Sequence, residues 1–187
     1  WWRFAHVGVA FIPVLFLLFV YNFLEVKKPK ALASFYALAF LFAFLAVFSD
    51  ALIANMRLVF SEFYYDSPPG ILYPFFTFYF FGLTIYSHYL LYRGYSQTVG
   101  DRERDMVRKA RIRYFFIAMI TSFAGGGLSF LPVYGLDVYP LGNFSVTVYP
   151  IIVGYAILRL RLFDIRVVTA QGLVLLLWLF VGLRLAL

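Results

Sequence analysis

Six long apolar segments are the feature that most constrains how this chain can fold. They cover approximately residues 4–24, 31–54, 71–92, 114–133, 144–160 and 167–187. A helix that crosses a bilayer needs about 20 predominantly apolar residues, and each segment approaches or meets that length. Only 13% of the chain is charged while 64% is hydrophobic, so its apolar surface must face lipid. The sequence therefore predicts an all-α, polytopic transmembrane helix bundle with about six membrane helices.

Basic residues are distributed unevenly between the loops of this bundle. Thirteen of the 16 Lys and Arg residues lie in three loops, 25–30, 93–113 and 159–166. Because cytoplasmic loops carry the excess of Lys and Arg, these loops are predicted to be cytoplasmic and the N-terminal end to lie outside. The formal charge of +7 then reflects membrane orientation, and nucleic-acid binding is not expected. Anionic lipid head groups are the expected partners on the cytoplasmic side.

Two groups of charged residues are predicted to anchor the cytoplasmic ends and to transmit a signal. In the loop 93–113, a helical extension is expected to lead into the fourth span. Its basic residues are Arg108, Lys109, Arg111 and Arg113. The second group follows the fifth span and consists of Arg159, Arg161, Asp164 and Arg166. Arg161 and Asp164 are three residues apart, so they can pair on one helix face.

Ionisable residues inside a bilayer are costly and are candidates for function. Asp50 is predicted to lie in the last turns of the second span, with Arg57 seven residues later on the same helical face. His6 is expected at a similar depth on the first span. A contact of Asp50 with His6 or with Arg57 would reduce the cost of the charge. A structural polar clasp and a proton-responsive sensing site both remain open for these three residues.

Other unusual residues in the spans have a structural and a functional interpretation. His88 is a candidate ligand for haem or a pigment, although a hydrogen-bonded histidine between helices explains it as well, and a second histidine at that depth is missing. The triple glycine is not a phosphate-binding loop, because no strand precedes it and no Lys-Ser/Thr follows. Close helix packing or a hinge remains open for that triplet. The hinge candidates are Gly125, Gly126, Gly127 and Pro150.

No catalytic motif is present in the sequence. The chain has no cysteine, which excludes thiol catalysis and thiolate metal sites, and it has no HExxH, GxSxG or nucleotide-binding loop. The chain by itself is therefore not predicted to be an enzyme, and no cofactor or metal is predicted for it.

Three stretches carry a family likeness: RFAHVGVAFIP at 3–13, YPLG at 139–142 and YAILRLRLFDI at 155–165. With them, residues 1–166 resemble the N-terminal seven-transmembrane-helix region of bacterial sensor histidine kinases. The resemblance implies a non-catalytic signal-input module of the bacterial cytoplasmic (inner) membrane, part of a two-component system and working as a homodimer. It also implies a kinase domain elsewhere in a longer chain, and the start without an initiator Met predicts such a fragment.

Two alternatives remain beside the sensor. The first alternative is a structural or accessory subunit of a larger membrane assembly, with an aromatic surface that contacts helices, pigments or lipids. A transporter fragment is disfavoured, because the sequence shows no inverted repeat and few polar residues at mid-membrane. The segment 167–187 is predicted to be a further transmembrane or interfacial helix. If it spans the bilayer, the chain leaves the membrane on the outer side and would have to cross once more before any cytoplasmic kinase domain.

Overall fold

The chain folds mainly into α-helices. The computed structural model describes residues 2–27, 29–66, 68–98, 103–139 and 141–160, with the backbone alone at 143, 146 and 156–160. The helices are α1 (Trp2–Phe23), α2 (Leu32–Phe48), α3 (Tyr73–Gln97), α4 (Glu103–Gly127) and α5 (Asn143–Leu160). An antiparallel hairpin of β1 (Met56–Val59) and β2 (Phe63–Asp66) lies between α2 and α3. The helices agree with the all-α prediction, and the hairpin is an addition to it.

Two of the described helical stretches are long and apolar enough to cross a membrane, namely α1 and the stretch Glu103–Tyr134. This corrects the prediction of about six. The α2 helix is apolar but only 17 residues long. The α3 helix has 25 residues, but its tyrosines and His88 lower its hydropathy. The predicted sixth segment, 167–187, lies outside the described residues.

The α4 helix begins at Glu103, well before the predicted start of the fourth span at 114. Glu103 and Asp105 lie in its first turn, where negative side chains interact favourably with the positive end of the helix dipole. The helical extension predicted within 93–113 is therefore confirmed for the described residues from 103 onward.

The α2 helix ends at Phe48, earlier than the predicted boundary at 54. Ser49 has extended backbone, with φ −140° and ψ 137°, and its hydroxyl oxygen accepts a hydrogen bond of 3.1 Å from the N–H of Ala51. Local bonds of this kind compete with continuation of a helix. Asp50, predicted inside the last turns of this span, instead lies in the connection after it, with its side chain 81% exposed.

Two clusters of buried side chains hold the elements together. The first joins α1, α2, α3 and the hairpin and includes the fully buried Phe76. The second joins α1, α3, α4 and α5 around Phe115, whose ring lies 4.7 Å from that of Phe19. Lipid removes most of the hydrophobic drive for helix association. Close packing and aromatic pairs, at roughly 0.5–1.5 kcal/mol per pair, therefore hold this part of the fold together.

The α4 helix runs through the triple glycine without a break and meets the start of α5 there. A Cβ atom on Gly125 would overlap the carbonyl oxygen of Gly142 and the Oγ of Ser145, and would lie 2.7 Å from the Ser145 Cβ. Small residues allow membrane helices to approach this closely, so the contact supports the packing alternative. The hinge role stays a prediction for Gly125, Gly126, Gly127 and Pro150, the last of which lies inside α5.

Candidate functional site

The hairpin forms a cap over one end of the helices. Its register pairs Met56 with Asp66 and Val59 with Phe63. The turn between the strands is tight: the N–H of Glu62 donates to the carbonyl of Val59 at 3.2 Å. Phe60 and Ser61 at its centre have φ of 54° and 58°. Turns with two positive φ values match the twist of the strands, and they usually contain Asn or Gly.

Asp66 anchors the hairpin at its base. Its Oδ1 accepts hydrogen bonds from the N–H groups of Ala54 (2.9 Å) and Asn55 (2.8 Å). The residue is fully buried, and its Oδ2 has no hydrogen-bond partner among the described residues. Burial raises the pKa of the Asp66 carboxyl above its ordinary value, and the backbone N–H donors reduce that rise. No motif in the sequence indicated a role for this carboxylate.

A chain of polar contacts connects the start of α1 with the start of α3. His6 lies with its Nδ1 3.1 Å from the carbonyl oxygen of Trp2 and its Nε2 3.2 Å from the hydroxyl of Tyr73. Because a carbonyl only accepts, the neutral ring carries its proton on Nδ1, and Nε2 accepts from Tyr73. The ring of Trp2 lies 5.5 Å from that of Tyr65 on β2, edge to face. The hairpin therefore contacts α1 directly.

An ion pair joins the hairpin to the connection between α4 and α5. Both terminal nitrogens of Arg57 donate to the carboxylate of Asp137, one of them at 3.0 Å. Two-point geometry of this kind makes the contact directional. The adjacent guanidinium holds the pKa of Asp137 below its ordinary value.

Tyr139 provides a second link to the same connection. Its hydroxyl donates to Glu62 at 2.8 Å, and this hydrogen bond raises the pKa of Tyr139. Its ring also lies 5.4 Å from Phe60 and 5.6 Å from Phe63. The hairpin thus contacts α1 on one side and the α4–α5 connection on the other.

The structure does not bring together the three residues of the predicted clasp. Asp50 pairs with Arg3, Arg57 pairs with Asp137, and His6 contacts Tyr73. Neither the Asp50–His6 contact nor the Asp50–Arg57 contact, which the sequence left open, is formed among the described residues. Because α2 ends before Asp50, Asp50 and Arg57 are not on one helix. The clasp and sensing roles of these residues stay predictions. All three residues nevertheless lie at the hairpin end, where each takes part in a different contact.

His88, the candidate cofactor ligand, lies among aromatic side chains. Its Nδ1 donates to the carbonyl of Thr84 at 2.8 Å. The rings of Phe16, Phe116 and Phe123 surround it at centroid distances of 5.1, 5.7 and 5.7 Å. Its Nε2 is buried without a hydrogen bond among the described residues. These contacts match a histidine packed between helices, and a cofactor role stays an untested hypothesis.

The opposite end of the bundle carries the predicted basic residues. A guanidinium nitrogen of Arg108 donates to the carbonyl of Leu24 at 3.1 Å, one of the carbonyls left unpaired where α1 ends. The ammonium of Lys109 lies 5.0 Å from the centre of the Tyr95 ring. Arg113 lies over its neighbour Tyr114. The second predicted group, Arg159, Arg161, Asp164 and Arg166, falls outside the side chains that the structure describes.

No metal site is formed by the described residues, since no group of three His, Asp or Glu side chains converges among them. An open groove of about 680 Å³ lies beside the hairpin, lined by aromatic residues that include Trp2, Phe63 and Tyr65. Its rim contains the carboxylate of Glu62. Residues of the hairpin form part of the wall of this groove.

A family model described as the N-terminal 7TM region of histidine kinase matches residues 1–166. No curated protein and no solved structure matches the chain.

Proposed function

Because the chain belongs to the family of N-terminal 7TM regions of histidine kinases, we propose that its hairpin end receives a signal and its basic end passes that signal to a kinase. Members of this family are membrane sensor regions in signal transduction, so the module itself is a non-catalytic input region. We place it in the bacterial cytoplasmic membrane, with the hairpin outside. It works there as a homodimer or within a larger membrane assembly.

The observation that carries this proposal is the set of contacts made by the hairpin. It touches α1 through Trp2 and the α4–α5 connection through Arg57 and Tyr139. A ligand or force that moves the hairpin therefore acts on separate helices together. A ligand can shift the hairpin between two positions only by binding them with different affinity. The aromatic groove beside the hairpin is a concave surface whose shape would change with the position of the hairpin.

The two ends of the bundle support the proposed orientation. The hairpin lies at the N-terminal end of α1, whereas Arg108 contacts Leu24 just after the C-terminal end of α1. The basic loop 93–113 is therefore at the end opposite the hairpin. Excess Lys and Arg favour the cytoplasmic side, which leaves the hairpin outside.

Transmission along the bundle requires an element with two arrangements. The contact between Gly125 and Gly142 brings α4 and α5 together close to the hairpin end, and α4 continues from there to Arg108 at the basic end. A displacement of the α4–α5 connection would thus change the position of α4 against α1. We assign Arg108, Lys109, Arg111 and Arg113 to the end that passes this displacement onward.

Exchange of the charges of the Arg57–Asp137 pair tests the proposal. The variants are Arg57→Asp, Asp137→Arg and the double exchange, made in the full-length protein and assayed for autophosphorylation in membrane vesicles. Each single variant places two like charges opposite each other, so it should shift the basal rate. The double variant restores an attractive pair and should return the rate toward that of the unaltered protein.

Equal amounts of folded protein in the membrane are verified for every variant before the rates are compared. If all three variants phosphorylate at the unaltered rate, the hairpin does not transmit a signal and the proposal is wrong. If the double variant is as strongly shifted as the two single variants, the Arg57–Asp137 pair is not the contact that couples the hairpin to the kinase, and the proposed route through the α4–α5 connection is wrong.

A further inference from the structure

Aromatic rings form most of the wall of the groove beside the hairpin. The groove has a volume of about 680 Å³, within the range of about 300–1,000 Å³ that is usual for small-molecule sites. Its aromatic lining residues are Trp2, Phe63, Tyr64 and Tyr65. None of the described residues in its wall is a lysine or an arginine. The described wall therefore presents the negative faces of aromatic rings without a basic side chain beside them.

The rings are held in position by the hairpin and by α1. Phe63 and Tyr65 are two residues apart on β2, so their side chains lie on the same face of the strand. The ring of Trp2, on α1, lies 5.1 Å from that of His6 and makes the edge-to-face contact with Tyr65 described above. Tyr64 lies on the other face of β2 and is 61% exposed. Walls that are already ordered lower the cost of binding a ligand.

One carboxylate lies at the rim of this groove. Glu62 is the one acidic residue among the described residues of the wall. Its Oε2 accepts the 2.8 Å hydrogen bond from Tyr139, which positions the carboxylate but leaves its negative charge, because a hydroxyl is neutral. The two described arginines that form ion pairs at this end, Arg3 and Arg57, pair with other carboxylates. No described cation compensates Glu62, so the groove is complementary to a positively charged ligand.

We propose that this groove binds an organic cation from the outer aqueous phase, namely an alkylated ammonium that carries an apolar substituent. The ammonium lies within about 6 Å of the ring centres of Trp2 and Tyr64 and near the carboxylate of Glu62, and the substituent lies along Phe63. A small metal ion is less suited to this wall, because it requires several converging oxygen ligands and makes no use of the rings.

This ligand class deepens the proposed function and rests on it, because the ligand would be the signal that the hairpin end receives. The two sides of the groove belong to different elements. Trp2 is part of α1, whereas Glu62, Phe63 and Tyr64 are part of the hairpin. A cation bound between them would favour the position of the hairpin in which both sides contact it.

Equilibrium dialysis of the purified full-length protein against benzyltrimethylammonium tests the ligand class. A non-ionic detergent, dodecyl maltoside, keeps lipid charge out of the measurement. The test variant is Glu62→Gln, which removes the charge but keeps an oxygen that accepts from Tyr139. Its matched control is Glu25→Gln, the same change just after α1 at the opposite end of the bundle. A unit charge at about 4 Å contributes roughly 1 kcal/mol even in bulk water, so Glu62→Gln should bind about fivefold more weakly or worse, whereas Glu25→Gln should bind like the unaltered protein.

Two further arms examine the rings and the sign of the charge. Tyr64→Leu should bind the cation about two- to fivefold more weakly, as expected for the loss of an exposed cation–π contact of about 0.5–1 kcal/mol. Tyr64→Phe keeps the ring and should bind like the unaltered protein. The anion hydrocinnamate, which also carries a phenyl ring, should bind more weakly than benzyltrimethylammonium.

The unaltered protein should bind the cation saturably, and melting curves establish that each variant is folded. Absence of saturable binding would overturn the proposal. So would equal affinities of Glu62→Gln and Glu25→Gln, equal affinities of the two Tyr64 variants, or equal affinity for the cation and the anion. Dialysis requires no kinase activity and the charge-exchange experiment requires no ligand, so failure of the ligand class is distinguishable from failure of signal transmission.

Discussion

Substitution of Gly125 by alanine tests the packing between α4 and α5. The added methyl group would overlap the carbonyl oxygen of Gly142 and the hydroxyl of Ser145. The carbonyl belongs to the backbone and cannot rotate away. The hydroxyl donates to that same carbonyl at 2.6 Å, so any movement of Ser145 also breaks a hydrogen bond. The two segments must therefore separate to accommodate the methyl group.

The expected change in the free energy of unfolding is the sum of three contributions, of which two are destabilising and one is stabilising. Overpacking of a close contact costs about 1–3 kcal/mol, and loss of the Ser145 hydrogen bond costs about 1 kcal/mol more. Alanine in a helix is favoured over glycine by about 1 kcal/mol, which offsets the second contribution. The expected net loss in the free energy of unfolding is therefore about 1–3 kcal/mol.

Thermal unfolding in detergent measures this effect, with Gly82→Ala as the matched control. Gly82 lies in α3, and a Cβ atom there would meet no neighbour within 4 Å. The control therefore gains helix propensity without a clash, and its melting temperature should stay the same or rise. Gly125→Ala should melt several degrees lower. If Gly125→Ala melts at or above the temperature of Gly82→Ala, the close contact between α4 and α5 does not exist as described.

Two predictions concern the carboxylates at the hairpin. Asp66→Ala should make the N–H groups of Ala54 and Asn55 exchange with deuterium at least about tenfold faster, since each loses a bond to a charged acceptor worth roughly 1.5–3 kcal/mol. Asp66→Asn keeps an acceptor oxygen and should exchange more slowly than Asp66→Ala; equal exchange would contradict this role. The hydrogen bond from Arg57 holds the pKa of Asp137 below its ordinary value, so the stabilisation by Arg57 should be fully present above the ordinary pKa of an aspartate and should disappear as the pH falls through the lowered pKa. The difference in melting temperature from Asp137→Asn measures it, and a difference that persists or grows on acidification would contradict the assignment.

The helical framework was predictable because it depends on local properties. Long apolar segments specify helices wherever they lie in the chain, and the described helices fall within or overlap the predicted spans. The boundaries were less accurate. After α2 ends, the connection is held by polar bonds such as the one from the Ala51 N–H to the Ser49 side chain, and hydropathy does not detect such bonds.

The hairpin and its contacts were not predictable in the same way. Its turn has Phe60 and Ser61 at positive φ, where Asn-Gly would have been the recognisable signal. The pair of Arg57 with Asp137 joins positions 80 residues apart, and a single sequence contains no information about such a distance. The role of Asp66 was equally out of reach, because an Asp before a Ser-Pro-Pro-Gly loop predicts an acceptor for the backbone N–H groups that follow it. Its Oδ1 instead accepts from Ala54 and Asn55, 12 and 11 residues earlier.

The side of the membrane on which each end lies is the most direct test of the account. The chain has no cysteine, so a single introduced thiol reports one position. Ser61 in the hairpin turn and Ser96 in the last turn of α3 are both exposed, and Ser→Cys is a conservative change at each. The reagent is a membrane-impermeant maleimide, applied to spheroplasts.

The account predicts that Ser61→Cys is labelled in intact spheroplasts and that Ser96→Cys is labelled only after the membrane is permeabilised. Labelling of Ser96→Cys alone, or equal labelling of both variants before permeabilisation, would contradict the placement of the hairpin outside and the basic end in the cytoplasm.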